Sequence, residues 1–160
     1  MNSYANLTSL YIPDSVVYLN LNGYFNSLQQ FRLPNKECDY SDNSRMNSLM
    51  TIYYKKNSQQ IHITKRDSLQ KMYIDKGIKD VIVHGDSLAE CSPNLKKIYI
   101  PSSVNIIGEE TLDFVGNSTK MVKKEENIFK GLIGVTIVTQ KDSYTEKYAQ
   151  KYNIKYEILE

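Results

Sequence analysis

The stretch Leu95-Lys96-Lys97-Ile98-Tyr99-Ile100-Pro101-Ser102-Ser103-Val104-Asn105-Ile106-Ile107-Gly108-Glu109-Glu110 decides how the rest of the chain is read. It opens on Leu-x-x-apolar-x-apolar. The same spacing returns at Leu7/Leu10/Ile12, Leu28/Phe31/Leu33, Leu49/Ile52/Tyr54, Leu69/Met72/Ile74 and Leu132/Val135/Ile137. Successive leading leucines stand 21, 21, 20, 26 and 37 residues apart. A single globular core has no reason to produce such a recurrence, whereas a pile of equivalent units does, each burying its apolar face on the next. The spacing therefore predicts a solenoid of about six coils, with repeats starting near residues 7, 28, 49, 69, 95 and 132.

A second spacing fixes the register. Nine, twelve and fourteen residues after the leading leucine come Val16/Leu19/Leu21, Ile78/Val81/Val83 and Val104/Ile107, with Glu109 at the last position of the fifth repeat. The third repeat keeps Ile61 and Ile63 but has Ser58, and the second has Glu37, Tyr40 and Asp42, so its second apolar strand is expected to be missing. Apolar residues two apart share one face of an extended strand. Two strands per coil follow, each in a parallel ladder with its counterpart in the next coil. Pro13, Pro34 and Pro101 come directly after the first strand, with Asp75 at that place in the fourth repeat. Proline cannot donate to an interior ladder, so it marks where pairing stops and the chain turns.

The phrases Leu95 to Glu110 and Leu7-Thr-Ser-Leu10-Tyr-Ile12-Pro13-Asp-Ser-Val16 resemble the repeat of the BspA-like leucine-rich repeat proteins, a bacterial surface family. Phe25, Cys91 and Phe129 resemble the residues that precede a leading leucine there. The end of the chain, Val135-Thr-Ile137, Lys141 to Tyr152 and Ile154-Lys-Tyr156-Glu-Ile158, is similar to the segment that closes such arrays. The resemblance covers nearly the whole chain. It implies a mainly β fold with minor α, a leucine-rich-repeat solenoid with parallel β ladders and a C-terminal helix-strand cap over 141–160. It also implies a location at the cell surface or in secretions, and contact with host or neighbouring-cell proteins in adhesion.

The chain's 160 residues suit one domain, and 41% apolar content is adequate for a core. No stretch approaches the roughly 18 uninterrupted apolar residues of a membrane span. The start, Met1-Asn-Ser-Tyr-Ala-Asn6, has neither a basic nor an apolar leader region. With the first repeat opening at Leu7 there is no room for an N-terminal cap, so the expectation is a C-terminal piece of a longer protein or a first coil covered by another chain. At the other end Ser143 is a candidate N-cap, with Glu146 completing a capping box and Asn153 stopping the helix. Between them, residues 115–130 form an insertion with Lys120, Lys123, Lys124, Glu125 and Glu126, expected as a solvated surface loop.

Twenty basic and 18 acidic residues leave a net charge of +2. Outside that insertion no basic cluster marks a nucleic-acid footprint. Cys38 and Cys91 lie two repeats apart at different phases, too far for a bridge, and are expected as buried thiols. His62 and His84 are the two histidines. His84 with Ser87 and Asp86 offers a nucleophile and base on paper, but neighbours in one turn seldom converge as a triad. Their spacing with the cysteines fits no zinc pattern. No enzyme activity, metal or cofactor is expected.

Candidate binding residues lie on the outward face of the first strand. Tyr11, Arg32, Tyr53, Tyr73, Tyr99 and Thr136 occupy the position between the two inward residues, so stacking aligns them in one column about 24 Å long at about 4.8 Å per strand. Two positions earlier stand Ser9, Gln30, Thr51, Lys71, Lys97 and Gly134. The expected partner-binding set is Tyr11, Arg32, Tyr53, Lys71, Tyr73, Lys97 and Tyr99, with a protein partner first and, as the alternative, a carbohydrate-binding or structural spacer segment of a larger surface protein. Exposed tyrosines bring stiff amphipathic area suited to contacts. Stacked tyrosines also stabilise a ladder without any ligand, and the sequence leaves both readings open.

Overall fold

A computed structural model describes residues 4, 6–21, 23–34, 39–42, 46, 48–54, 60–62, 66–83, 87–115 and 118–159. Its strands are β1 (Ser9–Tyr11), β2 (Tyr18–Leu21), β3 (Gln30–Arg32), β4 (Asp39–Asp42), β5 (Thr51–Tyr54), β6 (Gln60–His62), β7 (Lys71–Ile74), β8 (Asp80–Val83), β9 (Lys97–Tyr99), β10 (Ile106–Val115), β11 (Ser118–Glu125), β12 (Thr136–Thr139) and β13 (Lys155–Ile158). Two short helices, α1 (Leu88–Cys91) and α2 (Tyr144–Lys151), complete a mainly β fold.

The first strand of each repeat joins a seven-stranded parallel sheet in the order β1-β3-β5-β7-β9-β12-β13. Register follows the sequence spacing through five repeats: Leu10 pairs with Phe31, Phe31 with Ile52, Ile52 with Met72 and Met72 with Ile98. The leading leucine does a separate job. At Leu7, Leu28, Leu49, Leu69, Leu95 and Leu132 its amide bonds the carbonyl three residues back, closing the turn that delivers the strand. After the strand, Val16, Ile78 and Val104 bond back to Pro13, Asp75 and Pro101 in the same way.

The second strands form two sets, β2-β4 and β11-β10-β8-β6. Apolar side chains from both kinds of strand meet in one cluster that includes Phe31, Met72, Ile98 and Ile137 from the large sheet and Leu21, Val81, Val83 and Ile107 from the others. This interior carries the stability, because each fully buried aliphatic side chain contributes roughly 1.5–3 kcal/mol.

Several expectations are corrected. The second repeat does form its second strand: β4 pairs in parallel with β2, Leu19 opposite Tyr40 and Leu21 opposite Asp42. Backbone hydrogen bonds to an existing strand suffice there without the apolar pattern. The 115–130 insertion is not a loop at its start but part of an antiparallel hairpin of β10 and β11, from Gly108 opposite Glu125 to Val115 opposite Ser118. β10 therefore runs through Glu109, which pairs with Val83, and out past the body of the sheet. Gly108 is required, because a Cβ there would collide with the backbone carbonyl of Lys124.

The sixth repeat is out of phase by two. Ile98 pairs with Ile137 rather than with Val135, and Lys97 with Thr136. Two extra residues, Ile133 and Gly134, lie between the leucine turn and the strand; Gly134 has φ 72° and Ile133 is 86% exposed. A two-residue slip returns each side chain to its own face, which is why the apolar pattern alone did not reveal it.

At the C-terminus Ser143 caps α2 by accepting from the Glu146 amide at 3.1 Å. The reciprocal half of the box is replaced: the Glu146 carboxylate accepts from the Asp142 amide at 2.6 Å, with Asp142 at φ 60°. Asn153, at φ 53°, ends the helix as expected. α1 was not anticipated. Four residues are too few for a periodic signal, yet Ser87 and Glu90 form a complete capping box on it.

Candidate functional site

The outward column forms as expected for five strands: Tyr11, Arg32, Tyr53, Tyr73 and Tyr99 are successive register partners. In-register parallel strands hold equivalent side chains about 4.8 Å apart, and flat rings at that spacing stack. Tyr53 and Tyr73 have ring centroids 4.6 Å apart at 11°, and Tyr73 and Tyr99 are 4.3 Å apart at 8°. The column continues away from the rings with Arg32, whose guanidinium carbon lies 5.8 Å from the centre of the Tyr11 ring. Tyr11 is 55% exposed and the others are half-buried. Burial, followed by the hydrogen bond and charge repulsion from Tyr99 and then Tyr53, pushes the Tyr73 hydroxyl up to about 12, so this ring stays neutral in ordinary buffers.

Thr136 does not belong to this column. The two-residue slip puts Val138 beside Tyr99 and Glu157 beside Val138. Thr136 stands instead in the neighbouring row, between Lys97 and Lys155, and Gly134 leaves that row for the turn. Thr136 and Val138 are both buried, so the accessible strip ends at Tyr99.

In the neighbouring row Ser9, Gln30, Thr51, Lys71 and Lys97 are successive partners. Lys71 is exposed, whereas Lys97 reaches across Thr136 and Val138 to the Glu157 carboxylate at 2.8 Å. That hydrogen bond holds the Lys97 ammonium above its ordinary pKa and the Glu157 carboxyl below its own. Arg32 and Lys71 thus carry positive charge along the strip, while Lys97 is matched from within the chain. Glu157 was missed in the sequence because the segment over 154–158 read as a cap rather than as the next rung.

Elsewhere Ser87 has a structural occupation as the α1 N-cap, accepting from the Glu90 amide at 3.3 Å. Residues 84–86, with His84 and Asp86, lie outside the described residues, as does Cys38; the side chain of His62 on β6 is likewise outside. Cys91 is buried at the end of α1. Among the described residues no three His, Cys, Asp or Glu side chains converge as metal ligands, and no helix is long and apolar enough to cross a membrane.

An open groove of about 520 Å³ runs beside the strip, where the chain enters the large sheet. One wall carries Gln29, Met50, Gln70 and Lys96, each one residue after a leading leucine; the other carries Ser48, Ser68 and Asn94, each one residue before.

Comparison with known proteins finds no matching family model, no matching curated protein and no matching solved structure.

Proposed function

We propose that this chain is a leucine-rich-repeat solenoid of about six coils, similar to the BspA-like surface proteins, and that it acts as a non-enzymatic interaction or adhesion module. In this reading it is displayed at a cell surface or secreted and binds a protein partner through the outward face of its first-strand ladder. The fold side rests on the turns that recur at all six leading leucines and on a register that advances one repeat per strand.

The observation that carries the binding side is the tyrosine stack with its cationic neighbours. Tyr53, Tyr73 and Tyr99 are already ordered by the sheet, so a partner covering them freezes few rotors, which is the cost that usually weakens an interface. Their hydroxyls keep the strip soluble, while the ring edges that the stack leaves open supply apolar area. Arg32 and Lys71 then favour partners with acidic groups beside an apolar patch, and the charges speed encounter more than they deepen affinity.

The experiment is a binding screen of the whole chain on arrayed extracellular-matrix and cell-surface proteins, repeated with the Tyr73→Ser/Tyr99→Ser variant. Retention of a protein by the native chain and its loss in the variant, with the fold intact by circular dichroism, supports the reading. A variant that binds as well as the native chain but melts earlier reduces the strip to a sheet stabiliser and removes the proposal.

A further inference from the structure

We infer that the groove beside the strip is a second binding site, and that its ligand is an uncharged linear glycan. The inference is independent of the tyrosine strip, since none of the strip's residues line the groove.

Its chemistry is that of amides and hydroxyls. Gln29 and Gln70 each bring one carbonyl acceptor and two N–H donors, Asn94 brings its carbonyl and the N–H not given to Asp67, and Ser48 brings a hydroxyl that can do either. A sugar hydroxyl is likewise both donor and acceptor, so it can pair with the amides and hydroxyls of this lining. The Asn94 amide is held in place by donating to the Asp67 carbonyl at 2.8 Å. Met50, 40% exposed, is the one large apolar side chain of the lining and offers an adaptable surface to the C–H face of a ring. Lys96 closes the far end with the lining's one charge. The volume falls within the range of small-molecule sites.

The wall is also periodic in the way a polysaccharide is. Its residues are tied rung to rung, Gln29 to Thr8, Met50 to Gln29, Gln70 to Met50 and Lys96 to Gln70, each amide donating to the preceding carbonyl at 2.9–3.0 Å. The groups therefore recur at the strand spacing of about 4.8 Å, close to the advance of one pyranose unit along an extended chain. A peptide fits less well. Peptide grooves gain specificity from side-chain pockets and anchoring apolar area, and this groove has a single methionine to offer.

The test uses the whole chain on an array of neutral linear oligosaccharides (glucans, mannans, galactans and chitin oligomers) with heparin and polygalacturonate as acidic arms, followed by titration calorimetry on the strongest binder. Binding of a neutral oligomer is expected. The exposed pair Gln29→Ala/Gln70→Ala is expected to weaken it about tenfold or more, the loss of roughly one good hydrogen bond, with Tm unchanged. Tyr73→Ser/Tyr99→Ser is expected to leave it alone. The inference is overturned if no neutral oligomer binds at millimolar concentration, if only the acidic polymers bind, or if the glutamine pair binds as well as the native chain. Those failures leave the protein-binding strip untouched, and its failure leaves the groove untouched.

Discussion

At one end of the seven-stranded sheet stands β1, and Leu7, Leu10 and Ile12 in and around it are only partly covered although they occupy the same places as the fully buried Leu95, Ile98 and Ile100 in and around β9. At the other end β12 is sandwiched between β9 and β13 and backed by α2, whose Tyr148 and Ala149 are buried and whose Tyr144 and Tyr152 pack on the core. Both ends carry the same apolar spacing. The difference teaches that the spacing supplies a rung's apolar row, while the free energy comes from having a neighbour on each side. Charge separates the ends too: the β13 edge shows Lys155 and Glu157, which discourage edge pairing, whereas no charged residue occurs between Tyr4 and Pro13.

The largest expected effect tests that contrast directly. Leu95→Ala should cost about 2–5 kcal/mol, the range for a closed core site, and Leu7→Ala, at the equivalent turn, roughly half as much, because part of that side chain already meets water. Urea unfolding of the two variants measures both. Equal costs would break the comparison and indicate that the β1 end is covered in solution, which dilution across the transition would reveal as a concentration-dependent midpoint.

A smaller effect isolates what finishes the C-terminal end. The Tyr148 hydroxyl donates to the Glu126 carbonyl at 2.6 Å and accepts from the Ile128 amide at 3.2 Å, joining α2 to the chain that leaves the hairpin. Burial pushes this hydroxyl's pKa far up, so it stays a donor. Tyr148→Phe should cost about 1 kcal/mol, the net worth of a buried hydrogen bond whose partners keep one another, since Ile128 also bonds Glu126 at 2.9 Å. Tyr11→Phe, at a site 55% exposed, should leave the urea midpoint where it is. A midpoint shift as large for Tyr11 as for Tyr148 would mean that the two ends are equally enclosed.

The same contrast explains what could be read in the residues. The first-strand rungs from Leu10 to Ile98 were legible because one face is buried and period two admits a single facing. The outward column followed from them. Its last place was not legible, because the Ile133-Gly134 insertion shifts the strand by two and restores every side chain to its face. β4 was not legible because Tyr40 and Asp42 carry no apolar signal and the strand exists by pairing with β2. In the hairpin, Leu112 and Phe114 stand two apart around Asp113, a strand signal that the surrounding lysines and glutamates obscured; both are exposed, as is Met121 opposite Leu112. The groove had no signal in any one repeat and emerges only when four turns are stacked.

The smallest effect concerns the ion pair at the hairpin's base. Glu125, the last residue of β11, accepts from the Tyr144 hydroxyl at 2.6 Å and from Lys151 at 2.6 Å, with the Tyr152 hydroxyl at 3.4 Å. The Lys151 hydrogen bond first, then that of Tyr144, holds its carboxyl below the ordinary value of 4.5. A group whose folded pKa is depressed contributes stability that is complete above its unfolded value and disappears as pH falls through the folded one. Glu125→Gln should therefore lower Tm slightly at neutral pH, and the gap to the native protein should close as the pH falls from the unfolded carboxyl value through the depressed folded one. High salt should narrow it as well, since Lys151 is well exposed. The readout is a series of melting curves across that range, with hydrogen exchange of the β10 and β11 amides as a local reporter. A gap that persists unchanged into acid would show that Glu125 holds the hairpin to α2 by the hydrogen bonds of a neutral carboxyl, and the C-terminal end would then owe its closure to shape and burial alone.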